Sequence, residues 1–133
     1  MRFAVSTDGL DEALGTLRLL AAKGENLSPM LDELGQDEKA RVLMRFENST
    51  APDGTRWDEL TSRDGQPLMD TGVLYGSITA QVIGKHTLQV GTATDYAHYH
   101  QFGTQHIPAR PFLGVSDDLL ASIKELTLAY FNI

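Results

Sequence analysis

Residues 77–92, SITAQVIGKHTLQVGT, carry the pattern that decides the fold class. Apolar side chains occupy every second position in both halves of this stretch: Ile78, Ala80 and Val82, then Leu88 and Val90. A period of two is typical of a strand with one buried face. Gly84-Lys85 between the halves favours a tight turn, so the stretch predicts a β-hairpin.

Helical periodicity flanks the hairpin on both sides. The spacing predicts helices over these segments: about 8–23, 29–34, 36–48, 95–102 and 117–130. Ser28-Pro29 predicts a helix start, Gly35 an interruption and Gly103 a helix end. With a short strand at residues 2–7, this order predicts an α+β fold, in which a small antiparallel sheet packs against several helices.

Two of these helices carry specific expectations about burial. In the helix that ends at Phe102, we expect Tyr96, Ala97 and Phe102 to be buried. The last helix should bury one apolar face, which is formed by Leu119, Leu120, Ile123, Leu126 and Tyr130.

Length and composition indicate one domain that spans residues 1–133. There is no cysteine, which excludes disulfides and thiolate metal sites, and no apolar run reaches the length needed to cross a bilayer. The formal net charge of −7 argues against one alternative function, a small nucleic-acid-binding module. Binding to phosphates requires Lys and Arg side chains that neutralise them.

The histidines His98, His100 and His106 raise the question of a metal site, because they fall within nine residues. Zinc requires three or four ligands that converge on the ion. On a helix, residues two positions apart point about 200° apart around the axis, so His98 and His100 cannot share an ion. We therefore expect no metal or other cofactor, and partly exposed imidazoles instead.

The triplet Asp70-Thr71-Gly72 spells the active-site motif of aspartic proteases, and a homodimeric protease of this class is the second alternative function. Such an enzyme requires an apolar strand before the triplet, whereas the turn-forming residues 63–67 precede it here. A helical turn capped by Asp70 or Thr71 is the simpler interpretation. No P-loop, GxSxG or HExxH motif is present, and we expect no catalytic residues and no enzyme activity.

Four segments, taken in order, resemble the motifs of one protein family. The first runs from Phe46 to Leu60 and contains Pro52, Asp53, Gly54 and Trp57. The second runs from Leu68 to Ile78 and contains Asp70, Thr71 and Gly72. The third runs from Val90 to Thr104 and contains Tyr96, His100, Phe102 and Gly103. The fourth, IPARPFLG, runs from Ile107 to Gly114 and contains Pro108, Arg110, Pro111 and Phe112.

Together these segments are similar to the phage virion morphogenesis, or tail completion, family of Mu-like bacteriophages and prophages. The resemblance extends from about residue 25 to the C-terminus. It implies a structural protein with an α+β fold like that of tail-completion and neck proteins. The role it implies lies at the head-proximal end of the tail, where the protein would complete the tail and help join it to the head.

The resemblance also implies partners and a location. The partners would be other tail and neck proteins and further copies of the chain, assembled as a ring that is often hexameric. The protein would be assembled in the bacterial host cytoplasm and end in the virion. Catalysis, cofactors, membrane binding and specific nucleic-acid binding are not implied.

Two segments are candidates for contacts between subunits of such a ring. These are the loop at residues 49–67, because of its length, and the hairpin at residues 77–92, because of its exposed polar edge. Trp57 in the loop should be buried, either in the core or against a partner. Arg110 has a backbone stiffened by neighbouring prolines, and we expect its guanidinium to pair with a carboxylate, by preference within the same chain.

Overall fold

A computed structural model describes residues 10–60, 72–94 and 96–131, with side chains described from residue 14 onward. These residues form five helices and one two-stranded antiparallel sheet, which confirms the predicted α+β class. The helices are α1 (Leu10–Ala22), α2 (Ser28–Asn48), α3 (Val73–Gly76), α4 (Ala97–Phe102) and α5 (Asp117–Phe131). The strands are β1 (Thr79–Ile83) and β2 (Thr87–Gly91). The strand predicted at residues 2–7 lies outside the described residues.

The predicted β-hairpin is confirmed, although its turn is longer than expected. β1 and β2 pair without a bulge, from Thr79 opposite Gly91 to Ile83 opposite Thr87. The turn contains His86 as well as Gly84 and Lys85, so the predicted two-residue turn is wrong by one residue. Its tip is tied to the start of α2, because the Leu27 N–H donates to the Lys85 carbonyl at 3.0 Å.

Gly35 does not interrupt the second helix, contrary to the prediction. α2 runs unbroken from Ser28 to Asn48, and Gly35 is buried where the helix meets the hairpin. A Cβ atom at this position would come within 2.7 Å of Leu88 Cδ1 and 3.3 Å of Ala80 Cβ. The glycine therefore lets helix and sheet approach closely, and this packing outweighs a helix-propensity cost of about 1 kcal/mol.

Two hydrophobic clusters lie along α2. The first joins its N-terminal half to α1 and α5 and is formed by Leu17, Leu27, Met30, Leu31, Leu34 and Ile123. The second joins its C-terminal half to the later segments and is formed by Val42, Phe46, Ala51, Trp57, Leu74, Ile78, Ala97, Phe112 and Leu113. Because α2 contributes to both clusters, it holds the two parts of the core together.

Phe46 lies at the centre of the second cluster and is fully buried. Its ring centroid is 5.9 Å from that of Trp57, 5.8 Å from Tyr75 and 5.3 Å from Phe112. The contacts with Trp57 and Tyr75 are edge-to-face, which is a geometry that ring quadrupoles favour. Trp57 is therefore buried in the core of its own chain, which is the first of the two predicted locations.

The last helix buries only part of the predicted face, since Leu119 and Leu126 are partly buried against the first cluster. Ile123 is buried as expected, but Tyr130 is 45% exposed, and Thr127 takes its place inside. The Thr127 hydroxyl donates to the Ile123 carbonyl at 2.6 Å, which satisfies it in the core. Across the described ranges, no helix is both long enough and apolar enough to cross a membrane.

We predict that Gly35→Val lowers the free energy of unfolding by about 1–3 kcal/mol, because the added methyl groups collide with Leu88 and Ala80. Chemical denaturation followed by circular dichroism measures this change. Gly15→Val is the matched control, since a Cβ at Gly15 meets nothing within 4 Å. The control should stay within about 0.5 kcal/mol of the wild type. Equal stability of the two variants would contradict the packing role of Gly35.

Candidate functional site

The segment from Ile107 to Gly114 belongs to no helix or strand, and the side chain of Gln101 makes three hydrogen bonds with its main chain. Gln101 Oε1 accepts hydrogen bonds from the N–H groups of Phe112 and Leu113, each at 3.0 Å. Its Nε2 donates to the Leu113 carbonyl at 2.7 Å. Gln101 is buried, so one side chain satisfies three main-chain groups that would otherwise lack partners.

Trp57 and Arg45 bind the neighbouring carbonyls of the same segment. Trp57 Nε1 donates to the Pro111 carbonyl and Arg45 Nη1 to the Phe112 carbonyl, both at 2.8 Å. Arg45 Nη2 also lies 3.6 Å from Glu38 Oε2. Burial lowers the pKa of the Arg45 guanidinium, while the Glu38 carboxylate opposes this effect. The ion pair therefore compensates a charge that the core would otherwise disfavour.

Arg110 holds the loop that follows Trp57. Its Nε donates to the Asp58 carbonyl at 2.9 Å and its Nη2 to the Glu59 carbonyl at 3.2 Å. Its own N–H donates to the His100 carbonyl at 2.7 Å. Arg110 thus bonds within its own chain, but among the described residues its partners are carbonyl oxygens rather than the expected carboxylate.

Two glycines allow motif segments to touch. Gly103 ends α4, as predicted, with a φ of 76°, and a Cβ there would come within 2.7 Å of Ala109 N. A Cβ at Gly114 would come within 2.9 Å of Pro52 Cγ. Only a residue without a side chain fits either contact. The third and fourth motif segments meet at the first glycine, and the first and fourth at the second.

Residues 52–54 form a tight turn before Trp57, in which the Gly54 N–H donates to the Ala51 carbonyl at 2.9 Å. Asp53 Oδ1 accepts hydrogen bonds from the Thr55 hydroxyl at 2.7 Å and the Thr55 N–H at 3.0 Å. The bond from the hydroxyl, and then the bond from the N–H, lower the pKa of the Asp53 carboxyl. A short antiparallel bridge closes the loop behind the turn. This local geometry directs Trp57 into the core.

In the triplet Asp70-Thr71-Gly72, Gly72 is the residue that the structure describes. Asp70 and Thr71 lie outside the described residues, so their predicted capping role stays a prediction. Gly72 precedes α3 as its N-cap, with a φ of 75°. It therefore lies at the start of a helical turn. Leu74 in that turn is buried in the second cluster.

The histidines near the motif segments have different surroundings. The His98 ring lies 4.0 Å from that of Tyr99, and the half-buried His100 ring contacts Tyr96 edge-on at 5.8 Å. Burial, and secondly the charge of Arg110, lowers the pKa of His100. In residues 10–60, 72–94 and 96–131, no three His, Cys, Asp or Glu side chains gather as ligands for a metal ion.

Tyr96 and Phe102 are exposed, contrary to the prediction, whereas Ala97 is buried as expected. The exposed fraction is 39% for Tyr96, 49% for Tyr99 and 57% for Phe102. α4 is short, and Ala97 and Gln101 occupy its buried side. The three aromatic residues, spaced three apart, therefore lie on its outer side. We call Tyr96, Tyr99 and Phe102 the aromatic surface.

Sequence reasoning missed the roles of Gln101 and Arg45. Gln101 lies inside a motif segment, and its signal was a polar residue four positions after the buried Ala97. Arg45 lies between the buried Val42 and Phe46 on α2, so the helical periodicity already places it on the buried face. Neither signal identifies the partner, which lies 11 or 12 positions later for Gln101 and 67 positions later for Arg45.

The first and third motif segments therefore converge on the fourth, residues 107–114, through Pro52 and Trp57 on one side and Gln101 and Gly103 on the other. The model of the phage virion morphogenesis family matches residues 5–132 of the chain. The chain belongs to this family. The match begins at residue 5, whereas the motif segments suggested a resemblance from about residue 25. Family membership supports a role in phage virion assembly.

Two curated proteins of Haemophilus influenzae strain Rd are similar to the chain. It is 31% identical over 136 residues to Mu-like prophage FluMu G protein 2, which covers 97% of this chain and 96% of that protein. It is 32% identical over 122 residues to Mu-like prophage FluMu G protein 1, which covers 78% of this chain and 83% of that protein. No solved structure matches the chain.

We predict that Gln101→Leu lowers the free energy of unfolding by at least about 3 kcal/mol, because three buried main-chain groups lose partners at about 1–3 kcal/mol each. Urea denaturation followed by circular dichroism measures this loss. The exposed Gln105 provides the matched control, since Gln105→Leu makes the same chemical change without removing a buried bond. A loss of the same size in both variants would show that the Gln101 amide is not the anchor.

We also predict that His100 makes folding stability depend on pH. Its pKa is lower in the folded protein than the ordinary value of 6.5, so the unfolded chain binds the proton more readily. Its stabilising contribution is complete above pH 6.5 and decreases as the pH falls below that value. Thermal unfolding between neutral and mildly acidic pH should therefore change less in His100→Gln than in the wild type. His106→Gln, at an exposed position, controls for the loss of an imidazole. An unchanged pH slope in His100→Gln would contradict the prediction.

Proposed function

We propose that this virion assembly protein completes the head-proximal end of the phage tail and helps join the tail to the head, as a ring of copies. The observation that carries the proposal is the family match over residues 5–132, supported by the similarity to two Mu-like prophage proteins. A role of this kind requires surfaces that bind other proteins and needs no catalytic group. The proposal therefore includes no enzyme activity and no cofactor.

The use of polar side chains around residues 107–114 supports a binding role. Gln101, Arg110, Trp57 and Arg45 all bond to main-chain groups, so they fix the shape of the segment. The same contact of Gln101 fixes α4, which carries the aromatic surface. Exposed Tyr and Phe side chains are enriched where proteins bind one another. We propose that the aromatic surface contacts a neighbouring tail or neck protein.

The charge of the chain is compatible with a position through which DNA passes. At a net charge of −7, the protein repels phosphates and gains nothing from non-specific contact with nucleic acid. A ring with an acidic inner wall would let DNA move without adhering to it. We therefore propose that the protein lies in the tail or neck of the virion. We do not propose that it binds nucleic acid specifically.

Disruption of the gene in the phage that encodes the chain tests the proposed function. We expect DNA-filled heads and complete-length tails that stay separate, because the joining component is missing, and electron microscopy of the lysate shows this directly. Wild-type protein supplied from a plasmid should restore joined particles. Normal joined particles in the absence of the protein would overturn the proposal.

The ring itself is tested on the purified protein and on the virion. Native mass spectrometry should show a closed oligomer, with a hexamer as the expected species. Quantitative mass spectrometry of purified particles should give the same number of copies per virion. A single copy per particle would contradict a ring.

A further inference from the structure

The turn at residues 52–54 contains a chemically labile pair of residues. In an Asp-Gly pair, the glycine nitrogen readily attacks the preceding side-chain carboxyl, because glycine has no side chain that hinders the approach. The chain contains three such pairs, Asp8-Gly9, Asp53-Gly54 and Asp64-Gly65. Asp53-Gly54 is the pair that the structure describes, and both of its residues are exposed to water.

The reaction of such a pair requires water and no other reagent. The glycine nitrogen forms a bond to the aspartate Cγ, and the OH group of the protonated carboxyl leaves with the proton of the nitrogen as water. Water then opens the five-membered succinimide ring. Where water attacks the main-chain carbonyl carbon of the aspartate, the product is isoaspartate. This product is an isomer of the original chain, and its main chain is one carbon longer because it runs through the aspartate side chain.

Two hydrogen bonds from Thr55 oppose this reaction at Asp53. Asp53 Oδ1 accepts one from the Thr55 hydroxyl at 2.7 Å and one from the Thr55 N–H at 3.0 Å. First the hydroxyl and then the N–H lower the pKa of the Asp53 carboxyl, which keeps it in the unreactive ionised form. The same bonds hold the carboxyl at Thr55, whereas cyclisation requires Cγ to reach the Gly54 nitrogen. The Gly54 N–H is itself engaged, since it donates to the Ala51 carbonyl at 2.9 Å.

We propose that Asp53-Gly54 is a site of spontaneous isoaspartate formation, which the hydrogen bonds of Thr55 suppress in the folded protein. This inference goes beyond the proposed function and depends neither on a ring nor on the joining of heads to tails. It gives the exposed Thr55 side chain a role in chemical durability. A virion protein is not replaced after the particle leaves its host, so damage at a labile pair accumulates for as long as the particle exists.

Damage in this turn would reach the core. The Ala51 N–H donates to the Thr55 carbonyl, and the Trp57 N–H donates to the Ser49 carbonyl, both at 2.8 Å. An additional main-chain carbon at Asp53 changes the distance that these bonds span. The turn then no longer directs Trp57 to the Pro111 carbonyl. Trp57 is the single tryptophan of the chain, so its fluorescence reports the change.

The rate of isoaspartate formation at Asp53 tests the inference. Purified protein is incubated at neutral pH, either folded or in denaturing urea, and peptide mass spectrometry with electron-transfer fragmentation measures isoaspartate at each Asp-Gly pair. In urea we expect similar rates at Asp8, Asp53 and Asp64, because each is followed by glycine. In the folded protein the rate at Asp53 should be at least about fivefold lower than in urea, as two hydrogen bonds oppose the reaction. Equal rates at Asp53 in the two states would overturn the inference.

Substitution of Thr55 separates the hydroxyl from the rest of the turn. Thr55→Val keeps the shape of the side chain and the N–H bond, and we expect isoaspartate at Asp53 to form about two- to tenfold faster, which is the factor that one hydrogen bond contributes. The tryptophan emission of this variant should shift to longer wavelength as isoaspartate accumulates. Thr55→Ser retains the hydroxyl and should react like the wild type.

Thr87→Val, at an exposed position of β2, makes the same chemical change away from the turn and is the matched control. Its rate at Asp53 should equal that of the wild type. An unchanged rate in Thr55→Val, with a circular dichroism spectrum like that of the wild type, would overturn the inference. An equal acceleration in Thr55→Ser would overturn it as well, because the hydroxyl would then have no protective effect.

Discussion

The contact of the Gln101 amide with the main chain of Phe112 and Leu113 is the interaction on which the rest of the structure depends. Residues 107–114 belong to no helix or strand, and buried main-chain groups require hydrogen bonds. A glutamine carries an acceptor and a donor side by side, so it matches an N–H and a C=O as an adjacent strand would. Since Phe112 and Leu113 belong to the second cluster, the same contact also fixes core side chains.

α2 transmits this constraint to the rest of the chain. At its C-terminal end, Phe46 and Arg45 bind the segment through a ring contact and a hydrogen bond. About two turns earlier in the helix, the Glu38 carboxylate compensates the charge of the buried Arg45 guanidinium. In its N-terminal half, Gly35 packs against Leu88 and Ala80 of the hairpin. The helix α2 thus contacts both the hairpin and residues 107–114.

The sequence predicted the features that repeat locally and missed those decided by distant contacts. The hairpin followed from alternation, and the end of α4 at Gly103 followed from the preference of glycine for helix ends. Gly35 was misread because its helix propensity is poor, whereas the close approach of Leu88 that selects it is a tertiary effect. Tyr96 and Phe102 were expected inside because they are aromatic, yet a six-residue helix has too little buried surface for them. The family was predictable because its motif segments are short and ordered, but the carbonyl partners of Arg110 were not, since they lie about fifty positions earlier in the chain.

The length of chain between the anchoring residues has a consequence for biosynthesis. Arg45 and Phe112 are 67 positions apart, and Trp57 and Pro111 are 54 apart. Contacts at such separations require both partners to be present and a long loop to close, so we expect them to form after local ones. α2 and the hairpin can therefore fold while translation continues, but the helix that bears the exposed aromatic rings acquires its final position only after Leu113 has left the ribosome. A chain that ends before Phe112 consequently lacks the main-chain groups that hold Gln101 and, with it, α4.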